Sequence, residues 1–222
     1  MLVGLGLGPG DPELLTLRAV RLLSAADRVY VPGGIAQRLV APYREAVVLE
    51  FPMTGDEGYI RHCLEAHADR IATEARTGLV VLALIGDPNF FSTFTRLCTL
   101  IRERHPEVRY ETVPGVSAIT AFASVAGLSL SNGFVVMDGK ERPRSRILLK
   151  VTRPKDAAAA LRAEGFGDFV LVERMYMDGM RIYRGDELPE TSHYLSILYA
   201  RENDPETGEP LTGTMHGYPE ER

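Results

Sequence analysis

The chain has 222 residues, 45% of them hydrophobic and 25% charged, with a formal net charge of −5 at pH 7. That is the make-up of an ordinary globular protein, long enough for one large α/β domain or for two lobes of about 100 residues that each bury a core. The acidic balance speaks against a nucleic-acid partner, no uninterrupted apolar run approaches the roughly 18 residues of a membrane span, and the amino terminus has no basic leader, so the cytoplasm is the expected compartment.

In chain order, strand-like runs are expected at Leu2 to Leu5, Arg28 to Val31, Ala46 to Leu49, Leu79 to Ile85, Tyr110 to Val113, Phe134 to Val136, Arg146 to Val151, Asp168 to Val172 and Tyr194 to Tyr199. Between several of them, residues 12 to 25, 57 to 77, 92 to 104, 117 to 126 and 154 to 164 carry apolar side chains at three- and four-residue spacing, the mark of helices. This alternation predicts an α/β protein rich in parallel strands. The turn residues Val113-Pro114-Gly115 mark a boundary between two nearly equal parts, residues 1–113 and 114–200, followed by a polar, acidic tail over 201–222 to which no function is given.

The first strand runs into Gly4, Gly6, Gly8 and Gly10, alternate glycines that end at Asp11-Pro12 before the helical stretch with Leu14, Leu15 and Leu17. Glycine at this place lets backbone approach a small molecule closely. A dinucleotide fingerprint does not fit, because G-x-G-x-x-G started at Gly4 requires glycine where Pro9 stands, and started at Gly6 it meets Asp11. A G-x-x-x-x-G-K-[ST] phosphate loop is absent from the sequence as well. Two further breaks pair a strand end with exposed backbone: Ile85-Gly86-Asp87-Pro88-Asn89-Phe90-Phe91-Ser92, and Val113-Pro114-Gly115-Val116-Ser117-Ala118. Each also reads as a plain turn with Asp87 or Ser117 capping the next helix. Their common position after strands points to one ligand site, because ligands of open α/β sheets gather at the carboxyl ends of strands.

Cys63 and Cys98 have no framework or C-x-x-C spacing and read as free buried thiols. His62 and His67, five residues apart, fall on different faces of a helix, and no metal site is expected. Residues 139 to 155 hold Lys140, Arg142, Arg144, Arg146, Lys150, Arg153 and Lys155 against Glu141 alone, which is either a dock for an anionic ligand or a solvated loop.

Taken together, Gly6-Leu7-Gly8-Pro9-Gly10-Asp11-Pro12-Glu13-Leu14-Leu15-Thr16, Gly86-Asp87-Pro88 and Pro114-Gly115-Val116, in this order, resemble the pattern of the tetrapyrrole methyltransferase family over roughly residues 1 to 200. The stretches Gly86 to Phe94, Phe51-Pro52-Met53-Thr54 and Tyr194 to Leu198 look like its precorrin-2 / cobalt-factor II C20-methyltransferase branch. The resemblance implies a homodimer of two α/β/α lobes with S-adenosylmethionine in the cleft between them and a tetrapyrrole substrate beside it. It further implies cofactor contacts at Pro9, Gly86, Asp87, Phe90, Ser117 and Ala118, with Leu149 or Lys150 a looser match. Arg142, Arg144 and Arg146, along with Lys150, are candidates for the substrate's acetate and propionate groups, since guanidinium pairs with carboxylates in bidentate fashion. Relatives that methylate uroporphyrinogen carry an aspartate where this chain reads Val29-Tyr30-Val31-Pro32, so no catalytic carboxylate is inherited there. No catalytic base is named, and the group that takes the C20 proton is left open, Tyr30 and a carboxylate of the substrate being two of the possibilities. A methyltransferase acting at another corrin-precursor position and a non-catalytic tetrapyrrole-binding protein are the alternative readings.

Overall fold

The computed structural model describes residues 1–52, 54–131, 133–137 and 142–202. These residues divide into two compact units, one ending at residue 131 and the other beginning at Gly133. The sequence boundary at Val113 falls earlier, at the end of a strand. Residues 114–131 group with the first unit, to which Gly115 is tied by a hydrogen bond from its amide to the Asp87 carboxylate. The segment 203–222, most of the expected tail, lies outside the described residues, while Arg201 and Glu202 belong to the last strand.

The first unit is built on five parallel strands in the order β3-β2-β4-β1-β5. They are β1 (Leu2–Gly6), β2 (Arg28–Val31), β3 (Ala46–Val48), β4 (Val80–Leu84) and β5 (Tyr110–Val113). Both faces of this sheet are covered, as an all-parallel sheet requires. Because side chains alternate along a strand, Leu2, Tyr30, Val80, Leu82 and Leu84 face one side and pack on α3 (Glu57–Ala75) and α4 (Thr93–Arg104). Val3, Leu5, Val29, Val31, Val81 and Ala83 face the other and pack on α1 (Leu17–Ala25) and α2 (Gly34–Val40). The short helix α2 was hidden from sequence pattern by Pro32-Gly33-Gly34, yet Ala36, Leu39 and Val40 give it a buried side. The last helix of this unit, α5 (Ala118–Val125), is apolar but buries none of its residues.

Local chemistry sets the helix starts. Thr16, Asp56, Ser92 and Ser117 each accept a hydrogen bond from an amide of the first turn of α1, α3, α4 and α5 respectively, satisfying donors that the helix itself leaves open. Asp11 does the same for a single 3-10 turn at Pro12–Leu14, so the expected helix over 12–25 is a turn followed by α1.

The second unit holds a four-stranded sheet, β6 (Ser145–Leu149), β9 (Ser196–Glu202), β7 (Phe166–Glu173) and β8 (Arg181–Arg184), in the order β6-β9-β7-β8, with every pair antiparallel. One helix, α6 (Pro154–Ala163), starts on a proline whose missing amide costs nothing at that position and covers the sheet through Ala158 and Leu161. Phe166, Phe169, Leu171, Leu198 and Ala200 complete the core. The expected strand at Phe134 to Val136 is not formed: these residues are exposed and pair with no strand, so their β propensity has no ladder to join.

Candidate functional site

The three glycine-bearing breaks lie at the carboxyl ends of β4, β1 and β5, which are neighbours with β1 in the middle. The chain leaves β1 for α1 on one face of the sheet and leaves β4 for α4 on the other. Adjacent strands whose connections part to opposite faces open a crevice at their ends, the usual ligand position in such sheets.

The glycine spacing explains how the loops meet. Gly4 and Gly6 share one face of β1, and the bare surface at Gly4 takes the ring of Phe94, whose carbons would lie 2.5 Å from any Cβ placed there. A Cβ on Gly6 would collide with the amide nitrogen of Gly115 and lie 2.7 Å from the carbonyl oxygen of Gly86. A Cβ on Gly115 would in turn strike the Gly86 carbonyl and stand 2.8 Å from the carbonyl carbon of Gly6. Beyond the strand, Gly8 and Gly86 exchange backbone hydrogen bonds, Gly86 N–H donating to the Gly8 carbonyl at 2.7 Å and Gly8 N–H to the Gly86 carbonyl at 3.3 Å. Gly8 and Gly86 both have φ near +77°, a conformation glycine adopts without penalty.

Asp87 clamps the second loop to the third. It is 7% exposed. Its Oδ1 accepts from the Asn89 amide at 2.8 Å and from Asn89 Nδ2 at 3.2 Å, and its Oδ2 accepts from the Gly115 amide at 3.2 Å. The loop continues through Phe90, whose amide donates to the Asp87 carbonyl at 3.4 Å, to Ser92 at the start of α4. In the third loop, Ser117 Oγ accepts from the Ile119 amide at 3.1 Å and Ala118 opens α5. Pro9, Gly86, Asp87, Phe90, Ser117 and Ala118 thus stand on loops at one end of one sheet, which would suit a nucleoside-type cofactor held by backbone groups. Asn89 was not singled out from sequence, although an asparagine two residues after an aspartate is a recognisable turn pattern.

The remaining site candidates belong to the second unit. Leu149 is exposed at the end of β6. Lys150 follows with φ of +60° and holds its ammonium 5.5 Å from the centre of the Tyr194 ring. Arg142 makes a two-pronged pair with Glu202 at 2.6 and 2.7 Å, which holds the Glu202 carboxyl below its ordinary range. Arg146 pairs with Glu164 at 2.6 Å and lies over the ring of Phe166. Arg144 is exposed, and its carbonyl accepts from the Glu202 amide. Lys140 and Glu141 lie outside the described residues, as does Met53 of the Phe-Pro-Met-Thr stretch.

Tyr30 does not qualify as a proton acceptor. Its ring is fully buried between the sheet and α3, its hydroxyl donates to Glu74 at 2.8 Å, and the Arg70 guanidinium lies over the ring. Burial first, then the Glu74 carboxylate, push its pKa above the ordinary tyrosine value. His67 is occupied by the Glu50 carbonyl at 2.8 Å, and both cysteines are free thiols, with burial pushing Cys98 upward. Among the described residues no helix is long and apolar enough to cross a membrane.

Fold and loops together define an α/β protein with a candidate small-molecule site at the ends of three parallel strands. Residues 1–186 match the family model of the Tetrapyrrole (Corrin/Porphyrin) Methylases, and the chain belongs to that family. It is 34% identical over 217 residues to a probable cobalt-precorrin-2 C(20)-methyltransferase of Methanocaldococcus jannaschii, covering 87% of this chain and 93% of that one. It is 33% identical to the cobalamin biosynthesis protein CobIJ of Mycobacterium bovis, of which it spans only 43%, with 85% of this chain covered. Over 150 residues it is 33% identical to the precorrin-2 C(20)-methyltransferase of a Sinorhizobium species, with 60% of each chain covered.

Proposed function

We propose that this protein is an S-adenosylmethionine-dependent methyltransferase that methylates C20 of precorrin-2 or its cobalt complex in cobalamin biosynthesis. The observation that carries the reading is the likeness to the Methanocaldococcus jannaschii protein, which runs through nearly the whole of both chains. The converging loops support the cofactor half of the proposal, because Gly6 and Gly115 let the three loop backbones pack so closely at the strand ends that a Cβ on either would strike its neighbour.

Adenosylmethionine supplies a methyl group on a cationic sulfur that leaves as a neutral thioether, so the transfer needs no acid to assist departure. What the chain must supply is position and dryness. Holding methyl donor and acceptor carbon in line is worth up to roughly 7–11 kcal/mol. Asp87 serves this by fixing two loops at once, its buried carboxylate being used up on backbone and Asn89 donors and so acting as a clamp instead of a base. Pro9, Gly86, Asp87, Phe90, Ser117 and Ala118 are the proposed cofactor residues of the first unit, and Leu149 and Lys150 those of the second. Arg142, Arg144 and Arg146 are the proposed partners of the substrate carboxylates. In the free protein Arg142 and Arg146 rest in exposed ion pairs, which are weakly held and exchangeable for a ligand carboxylate. Tyr30, sealed in the core, is not available for the C20 proton, and a carboxylate of the substrate stays a candidate for it.

A second copy of the chain is the proposed partner. In support, α5 carries strongly exposed apolar residues, with Val125 at 90% exposure and Phe122 beside it on the next turn. The cytoplasm, where soluble precursors of this kind would be met, is the proposed compartment. Incubation with methyl-labelled adenosylmethionine and each of the two substrates, followed by carbon NMR of the product, tests the activity. Label at C20 is expected, and label at any other carbon, or none, overturns the assignment.

A further inference from the structure

The cofactor loop from Asp87 to Ser92 carries one residue that neither the clamp nor the helix start explains. Phe91 has φ of +50°, in the left-handed region that a side chain with a β-carbon occupies at a cost of about 1–2 kcal/mol. Its ring is 69% exposed, next to a Phe90 that is 48% exposed. Neither feature stabilises the free protein, since an aromatic ring left in water returns no packing for the strain. The conformation persists because the loop is pinned on both sides of it. Upstream, Asp87 holds Asn89 and Gly115; downstream, Ser92 caps α4 and the ring of Phe94, 2% exposed, is wedged against the bare face of Gly4. A rigid frame that forces a phenyl ring outward at the ligand end of the sheet is built for something that covers the ring. Strain held by surrounding structure at a ligand loop is a pointer to function.

We propose that Phe91 is a stacking platform for the conjugated face of the tetrapyrrole, an assignment that rests on the methyl-transfer reading above. The ligand chemistry follows from the ring. A benzyl group offers a flat apolar face and no hydrogen bond, so it selects a broad π surface, while the carboxylates at the rim of such a macrocycle must be met by other residues. The pinned loop also makes this contact orienting: a face that rests on a fixed ring cannot tilt, and tilt at the meso carbon is what a methyl transfer tolerates least.

The test compares Phe91→Gly with Phe91→Tyr in the full-length protein. Glycine removes the ring and suits the positive φ, so the thermal midpoint stays within a degree or two of wild type, the relieved strain offsetting the added chain entropy. S-adenosylhomocysteine affinity, read by calorimetry, is expected to change by less than about twofold. Anaerobic absorbance titration with precorrin-2 and with its cobalt complex, which needs no turnover, is expected to show, for whichever the wild type binds, at least about tenfold weaker binding for Phe91→Gly and near wild-type binding for Phe91→Tyr. Unchanged binding of that substrate in Phe91→Gly overturns the proposal. So does a parallel loss of S-adenosylhomocysteine, which would make the ring part of the cofactor loop's own packing. A wild-type protein that binds either substrate through Phe91 without transferring label would remove the methyl-transfer reading and leave the platform, whereas one that binds neither precorrin-2 nor its cobalt complex removes both.

Discussion

The two units answer to different demands. In the first, a parallel sheet is buried on both faces, its candidate ligand loops grow directly from strand ends, and their close approach is set by missing side chains at Gly4, Gly6 and Gly115. In the second, an antiparallel sheet carries a strand, β6, that stands at the sheet edge with Ile147 and Leu149 exposed, and its basic residues are held by single carboxylates at the surface. Tolerance should follow the same division. Where backbone touches backbone, one methyl group is too many; where an arginine side chain reaches into water, its loss is buffered by its neighbours.

The largest effect is expected from Gly6→Ala. The new methyl would collide with the Gly115 amide and press on the Gly86 carbonyl, neither of which is a movable side-chain tip. Overpacking of this kind costs about 1–3 kcal/mol, and because two backbone groups are struck and the strain falls on the candidate ligand loops, the upper end is expected, a drop of about a hundredfold in S-adenosylhomocysteine affinity. Gly33→Ala is the control, since Gly33 is extended at φ of 169° and a methyl group added there would meet nothing within 4 Å. It should stay within about 0.5 kcal/mol of wild type in stability. Wild-type cofactor affinity in Gly6→Ala would break the contrast at its root.

Next comes Asp87→Ala, which leaves the part-buried amides of Asn89 and Gly115 without their acceptor. Stranding such donors costs about 1–3 kcal/mol when they are fully buried and less where water reaches them, so about a tenfold loss of S-adenosylhomocysteine affinity by calorimetry is expected. Asp87→Asn keeps one acceptor oxygen and should fall between. If Asp87→Asn were as damaging as Asp87→Ala, the charge of the carboxylate would matter more than its geometry and the clamp would be the wrong description.

Gly6 and Asp87 also show which features of the site are legible in sequence and which are not. The alternate glycines of the first strand and the Gly86-Asp87-Pro88 break marked the loops that meet at the carboxyl ends of the strands, because glycine spacing and strand ends are local properties. Ser117 was legible for the same reason, as caps act within one turn, whereas the cap of α4 is Ser92 and not Asp87. What was not legible is what depends on distant partners. Nothing near Asp87 in sequence tells that its other oxygen takes the amide of Gly115, and no propensity gives a phenylalanine a positive φ. The antiparallel sheet escaped too, because β8 is short and half polar and its pairing to β7 is a tertiary fact. Tyr30 illustrates the opposite error: a phenol near the expected catalytic position looked available for chemistry until burial and Glu74 were seen.

In the second unit, replacing Arg142 and Arg144 together by alanine should raise the KM for the tetrapyrrole only about fivefold at low salt, with S-adenosylhomocysteine affinity unchanged. The groups are exposed, so their attraction for a substrate carboxylate is screened, and the difference from wild type should fade as salt approaches about 1 M, where the screening length is about 3 Å. An unchanged KM at low salt would reduce the basic segment to a solubility feature. A loss as large as that of Asp87→Ala would mean that this surface is as rigid as the glycine loops, contrary to its exposure.

The smallest effect separates the same two regions by titration. Between α3 and α4, Arg104 grips Asp69 with both a 2.7 and a 3.0 Å hydrogen bond, and His105 adds another at 2.7 Å. Chiefly through Arg104, this holds the Asp69 carboxyl down at about 2, against an ordinary value of 3.8. A carboxylate whose pKa is depressed by folding stabilises the fold fully above its unfolded value and loses that contribution as pH falls through its folded one, so the pair should weaken between about pH 4 and pH 2. Carboxyl-carbon NMR should place the Asp69 midpoint near 2 in the intact protein, and Arg104→Ala should return it most of the way to the ordinary aspartate range, with His105 keeping a remainder of the shift. Glu202, at the end of β9, is likewise held low, first by its hydrogen bond to Arg142, whose own side chain is largely exposed and open to a substrate carboxylate. Saturating tetrapyrrole should therefore raise the Glu202 midpoint by taking Arg142 away from it and leave Asp69 where it was. Movement of both midpoints, or of neither, would mean that the ligand does not distinguish the fixed unit from the exchangeable one.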